Sequence, residues 1–388
     1  MMLSLAIMSL AIACLPAVMF AKNLPAFLFP VASGTENGRD KDCSYDRKDT
    51  VDYGGVSVLI PARDEQDGIA ASVNAALCSQ GVDVEVLVLD DQSTDRTAEI
   101  VQRIAVADSR VRYLKGEDLP EGWNGKQFGC KQLSEAAEYE TLVFLDADVR
   151  LKADALRRLV ACYESLGVGL LSVFPLQETE TLLEKWIIPL MHYVLLGYCP
   201  LHRMRTDLRP ALAAGCGQLF VTKQNAYQKA GTHAAIRGSR HDGVKLPRAY
   251  REAGLMTDVY DGQELAECRM YHSAHEVIRG VLKNATEGLA SLKLLFPFTV
   301  LLIGGSVLPV ALVASSLALG DTVAAFVAGV AVLVGHFPRV FAALRLSQSW
   351  LGVLCHAPAT LLFVLLQWIA LLSHLAGRQV AWRGRTSS

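Results

Sequence analysis

No CxxC pair occurs in this sequence, and its cysteines number nine, an odd count. That pattern excludes a zinc site or a disulfide framework as the organising device. It suits a reduced domain facing the cytosol. Cys130, Cys216 and Cys268 are expected to pack as small apolar side chains. Basic charge is not in excess either: 37 Lys and Arg stand against 39 Asp and Glu, a net charge of -2. Nucleic-acid binding, which wants a basic face, is not expected. Internal repeats and low-complexity tracts are also missing.

What is plentiful is apolar surface. Hydrophobic residues make up 52% of the 388 positions, while charged residues still reach 20%. A soluble domain joined to membrane helices reconciles the two figures. Met1 to Phe20 is nearly all apolar and long enough for one crossing. A signal peptide needs a basic start, and none precedes Lys22. An uncleaved anchor over 1–21 is therefore favoured over a cleaved leader. Lys22 then places the following chain in the cytoplasm. Residues 22–52 are polar and rich in Gly, Asp and Lys, and read as a linker. A globular domain is expected over 53–289, membrane helices over 290–377 and a basic tail over 378–388. Leu294–Leu319, Val323–Val334 with its flank and Leu351–Leu375 are the later membrane candidates. Arg339 and Arg345 suit the inside. Three crossings would put Arg378, Arg383 and Arg385 outside, against the positive-inside tendency, so two or three crossings stay open.

Between these ends the hydrophobic period alternates. Val56–Pro61, Val84–Leu89, Val111–Leu114 and Thr141–Leu145 are short apolar runs that predict strands. Ala70–Ser79, Thr94–Ala105 and Lys126–Ala137 have helical spacing, with Asp95 expected in an acidic first turn. The alternation predicts an α/β domain built on a mostly parallel sheet. Ligands of such sheets sit beyond the carboxyl ends of the strands. Asp90, Asp91, Asp146 and Asp148 all fall there.

Asp146-Ala147-Asp148 can bring two carboxylates to one hard cation. Magnesium or manganese suits such a set and completes its shell with water and substrate phosphates. A strand-end turn with solvated aspartates is the bland alternative. Asp90-Asp91-Gln92-Ser93-Thr94-Asp95 offers acceptors for a base N–H or ribose hydroxyls. It also offers good helix caps, with Asp95 the structural candidate and Asp91 the functional one.

Ala62-Arg63-Asp64-Glu65 after the first strand, then LVLDDQSTDRT, LPEGWNGK and FLDADVRL, together resemble glycosyltransferase family 2. The likeness is to its membrane-bound subgroup with lipid acceptors, which includes hopanoid- and carotenoid-associated and ceramide-type enzymes. It covers roughly Val56 to Leu289. The resemblance implies a GT-A fold, a nucleotide-sugar donor, a divalent metal and inversion at the anomeric carbon. Residue by residue, it implies that Glu65 and Asp91 contact the uridine part of the donor. It implies that Lys126 and Asp146 belong to the donor site, with Lys126 pairing phosphate charge, and that Asp146 and Asp148 hold the metal. A solvated helix-start lysine is the alternative for Lys126, although a lysine there is unfavourable without an anion nearby.

The same resemblance implies Asp242 as the base that deprotonates the acceptor. His241 stands where glutamate is more usual. Ala266-Glu267-Cys268-Arg269-Met270-Tyr271 lies where processive members carry QxxRW. Arg269 survives to clamp the diphosphate, while the missing Gln and Trp imply single transfers. Gly215-Cys216-Gly217-Gln218 resembles an acceptor-side loop, with turn geometry as the alternative. Residues 276–289 form either an interfacial helix that presents a lipid or a plain connector.

The expectation is thus a multi-pass cell-membrane transferase with its active domain in the cytoplasm. It would move a sugar, from a UDP-sugar by preference, to a lipid or polyprenoid-like acceptor. A membrane nucleotidyltransferase, a processive polysaccharide synthase and a scaffold with a decayed site are the competing readings.

Overall fold

The computed structural model describes residues 1–29 and 54–376. The expected linker falls largely, and the basic tail wholly, outside the described residues. The chain divides into two compact units. A sheet unit comprises Phe27–Glu178 and His202–Met270, as far as described. A membrane unit comprises Met1–Ala26, Thr179–Leu201 and the described part of Tyr271–Ser387.

The sheet unit has eight strands: β1 (Gly55–Ala62), β2 (Asp83–Asp90), β3 (Val111–Lys115), β4 (Thr141–Leu145), β5 (Val149–Leu151), β6 (Leu170–Gln177), β7 (Leu219–Lys223) and β8 (Thr257–Cys268). Their order is β3-β2-β1-β4-β7-β6-β8-β5. Pairing is parallel from β3 through β4 and again between β6 and β8. It is antiparallel on both sides of β7 and between β5 and β8. The four strands expected from apolar runs are all present. Of the later four, β6, β7 and β8 carry Ser172, Thr222, Asp258 and Asp261 among their apolar residues, and β5 is only three residues with Arg150 at its centre.

Alternation along the strands makes two cores. Val58, Ile60, Val86, Val88 and Val143 face one side, with helices Ile69–Leu77, Thr97–Ala107 and Ala155–Leu166. Leu59, Leu87, Leu89, Leu142 and Phe144 face the other, with helices Gly125–Ala136 and Asp242–Glu252. This is a sheet covered on both faces, which is why its central strands are largely apolar, with Ser57 and Glu85 as buried exceptions bonded to each other at 2.6 Å. Each such buried side chain contributes about 1.5–3 kcal/mol. Truncating Leu59 or Ile60 to alanine is the single change that would weaken both the core and the strand end it positions.

The helix expected from Thr94 starts at Thr97 instead. Asp95 is not in its first turn. Its carboxylate accepts from the Thr97 backbone N–H at 2.9 Å and the Thr97 hydroxyl at 2.6 Å, so it ties down the chain before the helix. Asp95 is also drawn to the other loop, accepting from the Gln66 N–H at 3.0 Å.

The membrane unit holds helices Met2–Phe27, Leu292–Ala318, Thr322–Arg345 and His356–Leu375, each long and apolar enough to cross a membrane. Phe296, Leu317, Phe326, Leu333 and Leu372 stand exposed on them. Hydrocarbon, not water, suits that surface. Leu292–Ala318 is continuous through a π-turn at Ile303–Val307. The Ser9 hydroxyl donates to the Gly304 carbonyl there at 2.5 Å. Small residues allow the helices to approach closely: a Cβ on Gly335 would stand 2.7 Å from the Gly305 carbonyl oxygen. Thr179–Leu201 supplies two further short helices, Leu182–Ile187 and Leu190–Tyr198.

Candidate active site

The loops after β1 and β2 are laced together. Arg63 donates from Nη1 to the Asp91 carbonyl at 2.8 Å, with the Asp91 carboxylate at 3.7 Å. The Asp64 carboxylate accepts from the Thr94 N–H at 2.7 Å, and the Asp64 N–H donates to the Ser93 hydroxyl at 3.0 Å. Glu65 donates its backbone N–H to the Thr97 hydroxyl at 2.8 Å. Asp64 and Gln92 both take positive φ, 52° and 56°, which an Asp or Asn-like side chain tolerates when it bonds locally. Glu65 and Asp91 are therefore carried to the same end of neighbouring parallel strands. Arg63 lay inside the quoted motif, yet its grip on Asp91 follows only from the pairing of β1 with β2.

The charged centre lies after β4. Asn124 caps helix Gly125–Ala136 by accepting from the Lys126 N–H at 3.0 Å. The Lys126 ammonium then reaches across to Asp146 Oδ1 at 2.5 Å, Asp242 Oδ2 at 2.7 Å and the Gly217 carbonyl at 3.1 Å. An ammonium has three N–H donors, so all three are engaged. Lys126 is not a solvated helix-start lysine. Asp146 is fixed by its own N–H, which donates to the Gln218 carbonyl at 3.0 Å. Asp242 opens helix Asp242–Glu252, where a carboxylate is favoured by the helix dipole. It also accepts from the Gly243 N–H at 2.8 Å.

The Gly215-Cys216-Gly217-Gln218 loop packs directly on this carboxylate. A Cβ on Gly217 would fall 1.9 Å from Asp242 Oδ1, and one on Gly215 2.8 Å from the Ser172 hydroxyl. These glycines serve close approach and not merely a turn. Cys216 and Cys268 flank Gln218, which donates from Nε2 to Cys268 Sγ at 2.9 Å. Burial pushes the Cys216 thiol up to about 12, so it stays protonated at neutral pH. His233, to which the sequence assigned no role, lies against Phe144 at 4.7 Å between ring centroids. It shares a 2.7 Å hydrogen bond with Tyr227. Burial holds its imidazole down to about 3, so it is neutral. His241 stands at the N-cap position of the Asp242 helix and donates its N–H to Ser239 Oγ at 3.1 Å. Arg269 follows β8 directly. The register that pairs Cys268 with Val149 sets it at the sheet edge beside Asp148.

Burial raises Asp146 to about 6, with Lys126 opposing and the Asp148 and Asp242 carboxylates adding to the rise. Asp242 is also pushed up by burial, but the Lys126 ammonium outweighs that and holds it below the usual carboxylate range. Two carboxylates thus share one ammonium, and the Asp148 carboxylate adds further negative charge beside Asp146. The surplus negative charge and the all-oxygen donor set fit a divalent cation. Among the described residues no group of three or more His, Cys, Asp or Glu side chains is arranged to hold a metal by itself. Asp146 and Asp148 fit a site that water and donor phosphates complete.

Residues 57–227 match the model of Glycosyl transferase family 2. With this sheet and site, the chain has the GT-A fold and resembles family 2 glycosyltransferases, carotenoid-associated members among them. It is 29% identical over 244 residues to a 4,4'-diaponeurosporenoate glycosyltransferase of Staphylococcus aureus strain USA300. That match covers 61% of this chain and 62% of the relative, less than two thirds of the relative's length. The same-named protein of strain MRSA252 matches at the same 29%. Among solved structures, a mannosyltransferase of Pyrobaculum calidifontis, in complex with GDP-Man and Mn2+, has a TM-score of 0.51 at 15% identity. It covers 96% of this chain and 99% of its own, and shows a shared fold.

Proposed function

We propose that the protein transfers a sugar, with inversion and one residue at a time, from a nucleoside-diphosphate sugar to a lipid-like acceptor. UDP-sugar is the preferred donor. The observation that carries this reading is the single ammonium of Lys126 held between Asp146 and Asp242. It joins a carboxylate of the donor half to one of the acceptor half.

Glu65 and Asp91 are assigned to the nucleoside, Lys126 and Arg269 to the diphosphate, and Asp146 and Asp148 to magnesium or manganese. A bound divalent ion would neutralise the diphosphate leaving group as charge develops on it. Lys126 has a second effect. Its charge keeps Asp242 ionised, which a base must be, but also lowers its basicity. Drawing that ammonium toward donor phosphate frees Asp242 Oδ2 and raises its affinity for a proton. The base would then be armed only when donor is present. The relatives' name supports a carotenoid-type acceptor, and the apolar helices support delivery from a membrane. We assign the chain to the cell membrane as a multi-pass protein with its sheet unit in the cytoplasm.

Calorimetric titration of the full chain with UDP and manganese tests the donor assignment, and absence of binding would sink it. Asp242→Asn should keep that binding and lower transfer about a hundred- to ten-thousand-fold. Persistent transfer would place the base elsewhere. Mass spectrometry of lipid extracts from cells with and without the chain identifies the product.

A further inference from the structure

The membrane unit contains a cation that the transfer chemistry does not use. Arg339, on helix Thr322–Arg345, is fully buried and is the largest fully buried side chain described. One guanidinium nitrogen, Nη1, stands 3.4 Å from Gln348 Oε1, a long contact. Nε and Nη2 have no hydrogen-bond partner among the described residues. No carboxylate there forms an ion pair with it. The groups within its electrostatic reach are His192, Tyr193 and His356.

Those groups are themselves arranged. Gln348 Nε2 and His192 Nδ1 lie 3.1 Å apart. His356 Nε2 and the Tyr193 hydroxyl meet the Ser306 hydroxyl at 3.1 and 3.2 Å, within the π-turn. Such turns recur at functional sites. Gly352 leaves room for the guanidinium, since a Cβ there would stand 2.9 Å from Arg339 Nη2.

Arginine does not shed its proton in proteins. A buried guanidinium with unmet donors is costly, and inside a membrane segment such a group marks a functional site with a partner to be named. The partner has to be an oxyanion, because the planar fork of donors matches carboxylate and phosphate geometry. Leu333, Phe341 and Leu344 stand exposed on the same helix, an apolar surface against which the tail of an oxyanion-bearing amphiphile would lie.

We propose that the membrane unit binds the carboxylate or phosphate head of an amphiphile on Arg339, with Gln348 and His192 beside it. The proposal rests on the membrane reading of these helices and not on the transfer reaction.

The test uses the full chain in a nonionic maltoside micelle. Oleic acid and dioleoyl phosphatidic acid are compared with oleyl alcohol and dioleoylglycerol, and with acetate and inorganic phosphate. The readouts are the thermal midpoint and the lipid retained in native mass spectrometry. The two anionic amphiphiles should raise the midpoint, and the neutral lipids and free anions should not. Arg339→Gln should weaken retention about ten-fold or more, the scale of a charged hydrogen bond. Arg339→Lys, which keeps the charge but loses the fork, should fall between. An equal rise with neutral lipids, an equal rise with acetate or phosphate, or unchanged retention in Arg339→Gln would each overturn the proposal. If the glutamine variant does not fold, the wild-type comparison and the lysine variant still decide. UDP and manganese binding in the same samples reports separately on the donor site.

Discussion

Lys126 in the sheet unit is part-buried and Arg339 in the membrane unit fully so, yet among the described residues carboxylates meet only the first. Lys126 spends every N–H on an oxygen of Asp146, Asp242 or Gly217. Among the described residues Arg339 has a long contact to Gln348 and no carboxylate partner. A buried charge is tolerated when paired and hydrogen-bonded, and is expensive otherwise. The first arrangement is finished machinery, with its cation in place before any ligand arrives. The second leaves its balance to a molecule from outside.

Removing the Lys126 charge attacks the comparison hardest. Lys126→Met leaves Asp146 and Asp242 facing each other without their cation, a loss of about 3–5 kcal/mol at pH 8. The sign with pH is definite. Asp146 is already raised to about 6, and losing Lys126 raises it further. The folded state then holds protons that the unfolded state releases, so stability falls as pH rises through that range. Thermal midpoints at pH 5 and pH 8 should therefore differ far more for the variant than for wild type. Equal deficits at both pH values would mean that packing, not charge, is what Lys126 supplies. Arg339→Gln, by contrast, removes an unpaired charge and should not lower the midpoint in neutral detergent.

A smaller effect is expected from Gly217→Ala. Its methyl group would displace the Asp242 carboxylate, an overpacking cost of about 1–3 kcal/mol. Transfer should fall more than UDP binding if Asp242 is the base proposed above. Loss of both in equal measure would detach Gly217 from that division.

The smallest concerns Asp261 on β8, a buried carboxyl outside the site. Burial pushes it up to about 7, against an opposing hydrogen bond from Gln263. A group raised in the folded state stabilises below its unfolded pKa, and that contribution is lost as pH rises toward 7. Asp261→Asn should remove the slope and gain on the order of 1 kcal/mol at pH 8. An unchanged melting profile between pH 5 and pH 8 would show that Asp261 is already ionised without cost.

The first half of the sheet was legible because its central strands are buried on both faces and keep unbroken apolar stretches such as Val58–Ile60 and Val86–Leu89. Thr141–Leu145 matched to the residue, and Asp146 fell at its end as expected. The second half was hidden because β6, β7 and β8 mix Ser, Thr and Asp with their apolar residues. The helix after Asp95 was placed early because its aspartate reads as a first-turn acid, whereas it serves to tie two loops. Lys126 was assigned to the donor site by resemblance, but nothing in the local sequence linked it to Asp242, more than a hundred positions away.

The sequence by itself located the long apolar segments, the strand ends that carry Asp91 and Asp146, and the order of the motifs. These depend on short-range periodicity and residue type, which a linear string records. Tertiary structure decided that Gly217 presses on Asp242, that one ammonium serves two carboxylates, and that Arg339 meets none among the described residues. Those facts depend on which distant segments share a space, and on whether each buried charge finds its opposite there.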